Sequence, residues 1–155
     1  MQKDLFEMSI QTAYIQLIQS AQHLIYIENQ FFISSTASPL VKNKIAEALA
    51  YKIKEAHEDG RKFKILILLP LLPGFEGDVR TSPVLRIQMY WQYMTISRGK
   101  DSLFRLLEKW EIDPNKYIYF IGLRNHEVME KPVTELIYIH SKVWNQVLII
   151  SDDGS

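Results

Sequence analysis

FKILILL (residues 63–69) is apolar throughout except at Lys64. An unbroken run of this kind suits a central strand buried on both faces, as in parallel sheets. The flanking sequence repeats one pattern. Upstream, Ser38-Pro39 offers a helix start, and Val41, Ile45, Ala48, Leu49, Ile53 and Ala56 fall on one stripe before Gly60 stops the turn. Before that lie a short buried strand at Leu24–Ile27 and a helix over residues 4–22, with Phe6, Ile10, Ala13, Tyr14, Leu17, Ile18 and Ala21 at helical spacing. Downstream, Ser82-Pro83 opens a helix with Leu85, Met89, Tyr93 and Ile96 on one face. A shorter helix at Ser102–Trp110 ends before Pro114, and Tyr117–Gly122 reads as a strand. Helices alternating with strands predict βαβ units, a parallel sheet and an α/β fold.

Composition bounds the function. The 155 residues are 47% apolar and 23% charged, which suits one soluble globular domain over 1–155. Zero formal net charge and no basic stripe argue against nucleic acid as a partner. The sequence has no Cys, which removes disulfides, zinc-thiolate sites and a Cys nucleophile and fits a cytoplasmic setting. The first residues, MQKDLFEMSI, lack the apolar core of a secretory signal, and no apolar run is long enough to span a bilayer. Membrane contact is therefore expected to be peripheral.

The chemistry concentrates in VTELIYIHSK (residues 133–142). As an extended strand it places His140 and Lys142 on one face. An imidazole and an ammonium directed into one space suit a phosphodiester: the cation compensates the phosphoryl oxygens while the imidazole attacks phosphorus or protonates the leaving oxygen. A solvated polar strand face would look the same. Glu28, Asn29 and Gln30 end the Leu24–Ile27 strand, at the edge where open α/β sheets bind ligands, or else cap that strand. Residues 70–78 form a Pro- and Gly-punctuated loop carrying Glu76 and Asp78 and read as a wall of the cleft. Nothing nearby supplies metal-ligand spacing, so no metal or other cofactor is expected. Tyr90 and Trp91 lie off the core stripe of their helix. They suit either packing or an aromatic box for a quaternary ammonium.

VTELIYIHSK together with LIISDD (148–153) resembles the second H-x-K-x-x-x-x-D motif of eukaryotic phospholipase D. IYIENQFFI (25–33), FKILILLPLLPGFEGD (63–78), QYMTISRG (92–99) and YIYFIGLR (117–124) occur in the same order as in that family, so the resemblance covers nearly the whole chain. It implies a phospholipase D/nuclease-like α-β-α sandwich with a mixed, mostly parallel sheet and helices on both faces. The chain would be an incomplete copy of one of two pseudo-repeats, part of a C-terminal catalytic half. It implies hydrolysis of phosphatidylcholine to phosphatidic acid and choline through a phosphohistidine, with transphosphatidylation to alcohols. His140, Lys142 and Asp152 would be catalytic, and Glu28, Asn29, Gln30 and Arg98 would line the substrate. No catalytic metal is implied, and the partners would be a phospholipid surface, met peripherally, and a second H-x-K half.

Two departures bear on that expectation. The motif places its Asp five residues after the Lys, where Val147 stands; removing VWNQV (143–147) brings Asp152 into register. An odd number of added strand residues reverses the facing of every later side chain in the strand unless they bulge. In addition, the sequence holds one H-x-K, so the second must come from an upstream half or a second copy. A non-catalytic fragment that binds phospholipid or a partner, or a phosphodiesterase on another substrate, is the alternative.

Overall fold

The computed structural model describes residues 8–75 and 77–141. Glu76, Lys142, the VWNQV segment and Asp152 lie outside the described residues, as does the start of the helix expected over 4–22. The described elements are α1 (Ser9–Ser20), β1 (Leu24–Glu28), α2 (Ile45–Glu58), β2 (Lys64–Leu68), α3 (Pro83–Tyr93), α4 (Leu103–Lys109), β3 (Ile118–Ile121), β4 (Leu123–Val128) and β5 (Pro132–Ile137).

The α/β class and the parallel sheet read from the sequence are the architecture observed. β1, β2 and β3 form a parallel sheet in that order, with β2 central. The register aligns Ile25, Ile65 and Ile118 in one row and Ile27, Ile67 and Phe120 in the next, all directed to one face. α2 covers that face with Ala46, Leu49, Ala50, Ile53 and Ala56, all inaccessible to solvent; its alanines let the helix axis approach the sheet closely. Ile18 of α1 and Leu103 and Leu107 of α4 complete the cluster. Each such aliphatic side chain gains about 1.5–3 kcal/mol on burial, so this layer fixes the sheet. On the other face, Tyr26, Leu66 and Tyr119 share a row and are only partly covered by the described residues. One polar contact ties the helices together. Lys52, nearly fully buried, donates to the carbonyl of Gln19 near the end of α1 (2.7 Å) and to Glu55 (3.0 Å).

Three local expectations are corrected. The helix expected from Ser38-Pro39 starts only at Ile45. Ser38 and Pro39 go instead into a separate turn, in which the Ser38 carbonyl accepts from Val41 N–H (3.0 Å). Asn43 and Ser34 then hold the true start, since the Ser34 hydroxyl accepts from Ala46 N–H (3.0 Å). The stretch from His126 to Pro132 reads from the sequence as a loop, yet Leu123–Val128 form β4, which pairs antiparallel with β5 in a separate two-stranded sheet. Both strands face solvent along almost their whole length, so no burial period marks them. Finally, the ladder of β5 stops at Ile137, and Tyr138–Ser141 run on outside it.

α3 does not simply end. Met94–Arg98 continue it as a π-helical turn, in which Gly99 N–H reaches Met94 O (3.2 Å). Fully buried Thr95 sits in this turn. Its hydroxyl donates to Trp91 O (2.9 Å) and accepts from Ser34 N–H (3.1 Å), while its carbonyl accepts from the Thr36 hydroxyl (3.1 Å). The turn therefore fastens the long β1–α2 connection to α3. Thr95→Val keeps the shape but leaves the buried Ser34 N–H without its acceptor, which should cost about 1–3 kcal/mol. Urea unfolding monitored by circular dichroism checks this; an unchanged midpoint would show that the contact does not hold the connection.

Candidate active site

Parallel strands place their carboxyl ends on one edge, and β1 delivers Glu28 there opposite Leu68 of β2. Asn29 N–H extends the ladder to Leu68 O (3.1 Å), so the ENQ triplet leaves the sheet in a defined direction. Tyr26 precedes Glu28 on the same face and donates its hydroxyl to Glu28 Oε2 (3.1 Å). Burial first, then the hydrogen bond and charge of Glu28, raise the Tyr26 phenol above its ordinary value. The other carboxylate oxygen accepts from the hydroxyl of Ser141, more than a hundred residues away in sequence. Glu28 thus joins the sheet edge to the segment carrying the histidine.

Gln30 makes a second joint, donating Nε2–H to the hydroxyl of Tyr138 (2.5 Å). The ring of Tyr138 lies against Gly74 of the Pro70–Asp78 loop. A β-carbon at Gly74 would overlap that ring, so only glycine leaves room. Ile139 is buried between the two joints, while Tyr138 and His140 emerge on the same side with ring centroids 5.8 Å apart. The period-2 alternation of an extended chain thus persists past the end of the ladder. His140 is exposed, and its imidazole faces solvent between anchored neighbours. Such an arrangement can present a ring nitrogen to an incoming electrophile or leaving group at low reorganisation cost.

The other expected residues fall elsewhere. Asn29 turns away from His140. It holds Gln30 N–H with Oδ1 (2.8 Å) and lines an apolar pocket of about 340 Å³ with Tyr14, Phe32 and Ile45. Burial pushes the Tyr14 phenol up to about 12. Arg98 lies over the ring of Tyr93, 4.7 Å from its centroid. Tyr93 in turn borders a crevice shared with Gln30, Pro70 and Pro73. Asp78 is bound by Arg80 (2.6 Å), whose hydrogen bonds hold the exposed carboxyl below its usual range. Tyr90 is exposed and contacts Trp91 edge-on. Among the described residues, no group of three or more His, Asp or Glu side chains is arranged to hold a metal ion. No described helix is long and apolar enough to cross a membrane. Sequence reasoning did not single out Tyr26, Tyr138, Ser141 or Gly74. Spacing offered a signal for two of them: Tyr26 lies two before Glu28, and Tyr138 two before His140.

The protein-family model for phospholipase D matches residues 1–144. Phospholipase D1 of Mus musculus is 43% identical over 157 residues, an alignment covering 96% of this chain and 14% of the mouse protein. Phospholipase D1 of Saccharomyces cerevisiae is 44% identical over 95% of this chain and 9% of its own length. Phospholipase D of Phytophthora infestans is 41% identical over 95% and 8% respectively. The chain thus spans only a small part of the curated relatives it matches.

Gly74→Ala should displace the Tyr138 ring and with it the neighbouring imidazole. The expected result is a change in the NMR signals of the His140 ring while those of His57, in the last turn of α2, stay in place; unchanged His140 signals would contradict the packing. Tyr26 carries a pH dependence of known sign. Because its folded value is raised above the ordinary 10.0, its contribution is complete below that pH and is lost as pH rises through the folded value. Alkaline unfolding of wild type and Tyr26→Phe should therefore converge at the highest pH and separate below it.

Proposed function

Because the chain belongs to the phospholipase D family, we propose that it supplies one half of the active site of a phospholipase D-type phosphodiesterase. The substrate is phosphatidylcholine, and the products are phosphatidic acid and choline. One observation supports this most directly: two joints, Glu28 to Ser141 and Gln30 to Tyr138, hold residues 138–141 at the carboxyl edge of the sheet and leave His140 exposed between them.

In the proposed reaction the histidine of the other H-x-K half attacks phosphorus, and the bond to the choline oxygen breaks. His140 gives its proton to that oxygen, so choline leaves as the neutral alcohol function. His140 then takes a proton from water, whose oxygen attacks the phosphohistidine and releases phosphatidic acid. A primary alcohol in place of water gives the phosphatidyl alcohol. Lys142 compensates the non-bridging oxygens, and Asp152 orients an imidazole if VWNQV bulges out of register. Both histidines must meet one phosphorus, so the chain needs an upstream half or a second copy and by itself should be nearly inactive. Access to the substrate is peripheral, from the cytoplasmic side of a phospholipid membrane.

The test measures choline release and phosphatidyl-alcohol formation on phosphatidylcholine vesicles with a primary alcohol present. The chain is joined to or mixed with an upstream H-x-K half. His140→Ala should lower both rates by about 10²–10⁴-fold, the range for loss of a positioned acid–base group. Equal rates in wild type and mutant would remove His140 from the mechanism. Choline release without the alcohol product would remove the phosphohistidine.

A further inference from the structure

The residues from Val79 to Lys100 contain no Asp or Glu but carry Arg80, Arg86, Arg98 and Lys100, in a chain whose charges as a whole sum to zero. The flanking acids take up two of these cations: Asp78 binds Arg80, and Asp101 lies 4.0 Å from Lys100. Arg86 and Arg98 have no carboxylate partner among the described residues, and both are exposed. The same segment carries an outward apolar stripe. Val84, Ile87 and Tyr90 are at least half exposed, on the side of α3 opposite buried Leu85. Arg86 lies beside this stripe at the angular position of Tyr93, over which the π turn folds Arg98. The Pro70–Asp78 loop meets the other side of α3, where Met89 and Gln92 also border it. Its Leu71 and Phe75 are exposed, and Leu71 and Pro73 share a crevice with Gln88, Tyr93 and Gln30.

We infer that the outer face of α3 is a docking surface for an anionic phospholipid membrane. Resting on the reading of the chain as a lipid phosphodiesterase, this assigns the surface through which it meets its substrate. The composition matches an interfacial helix: aliphatic side chains to enter the acyl boundary, tyrosine and tryptophan at headgroup depth, and two arginines, Arg86 and Arg98, without carboxylate partners among the described residues. A scatter of single exposed apolar residues is ordinary, whereas this group is contiguous and cation-rimmed.

Vesicle flotation tests this without turnover, so it can fail separately from the proposed activity. The chain is floated with vesicles of phosphatidylcholine alone and of phosphatidylcholine mixed with phosphatidic acid. Wild type should float with the mixed vesicles and much less with the neutral ones. Arg86→Glu should weaken binding to the mixed vesicles by at least roughly fivefold, the worth of one basic residue near an anionic leaflet. Ile87→Glu should abolish binding, and Leu40→Glu, in the exposed β1–α2 connection, should leave it intact. All three positions are exposed, so the fold should survive each change, and circular dichroism verifies that. Equal flotation of wild type and Ile87→Glu, or equal binding to neutral and anionic vesicles, overturns the inference. So does absence of flotation with self-association that Ile87→Glu removes, an outcome that makes the face a protein interface.

Discussion

The rest of the structure depends on how closely α2 lies against the sheet. Ala46, Ala50 and Ala56 bring the helix down onto the rows headed by Ile25 and Ile27, and Leu49 and Ile53 fill the remaining depth. Because β1 and β2 run parallel and share that layer, their carboxyl ends cannot slide relative to one another without exposing isoleucines. Glu28 is therefore fixed in space before it meets any partner. A hairpin with almost no buried surface of its own can then be located by a few directional bonds at its far end.

That division of labour separates the described residues into a packed body and an appended polar edge. The body is held by non-directional burial, and the edge by hydroxyl-to-carboxylate and amide-to-hydroxyl bonds. Bonds of the second kind contribute only about 0.5–1.5 kcal/mol each when both partners are neutral and more when one is charged. Ser141 on Glu28 belongs to the stronger class. The imidazole of His140 is exposed while the residues on either side of it are tied down. A reactive group on a mobile segment would lose most of the orientation that proximity effects require.

Much of this was legible in the sequence because burial leaves periodicity behind. The apolar run at Phe63–Leu69, the stripe of α2, the short helix at Ser102–Trp110 and the strand at Tyr117–Gly122 all reported an element with one face in the core. Where burial was absent, the reading failed. β4 has six exposed residues and pairs through its backbone and a His126–Thr134 bond, neither of which imposes an alternation of apolar and polar letters. Ser38-Pro39 was misleading for a different reason: its turn chemistry is real, but Ser34 and Asn43 compete for the helix start through contacts distant in sequence. The ENQ triplet was legible as an edge, yet its partners were not. Tyr138 and Ser141 are joined to it across the fold, and the tight seat at Gly74 exists only once the loop and the tyrosine are placed together.

The π turn after α3 changes how this helix can be compared with others. A π turn accommodates one residue more than the α-helical path needs, so it is a natural place for a helix to absorb an insertion without unwinding. Beyond Met94 every side chain is rotated by the angle of that extra residue, about 100°. Any alignment of helical faces drawn through Tyr93 and Ile96 as one continuous stripe is therefore out of phase by one position on its second half. Tyr93, placed by that stripe in the core, is instead surface with Arg98 stacked above it. Loss of a single residue here would leave the helix intact and its length nearly unchanged. It would, however, turn the guanidinium to another side of the molecule.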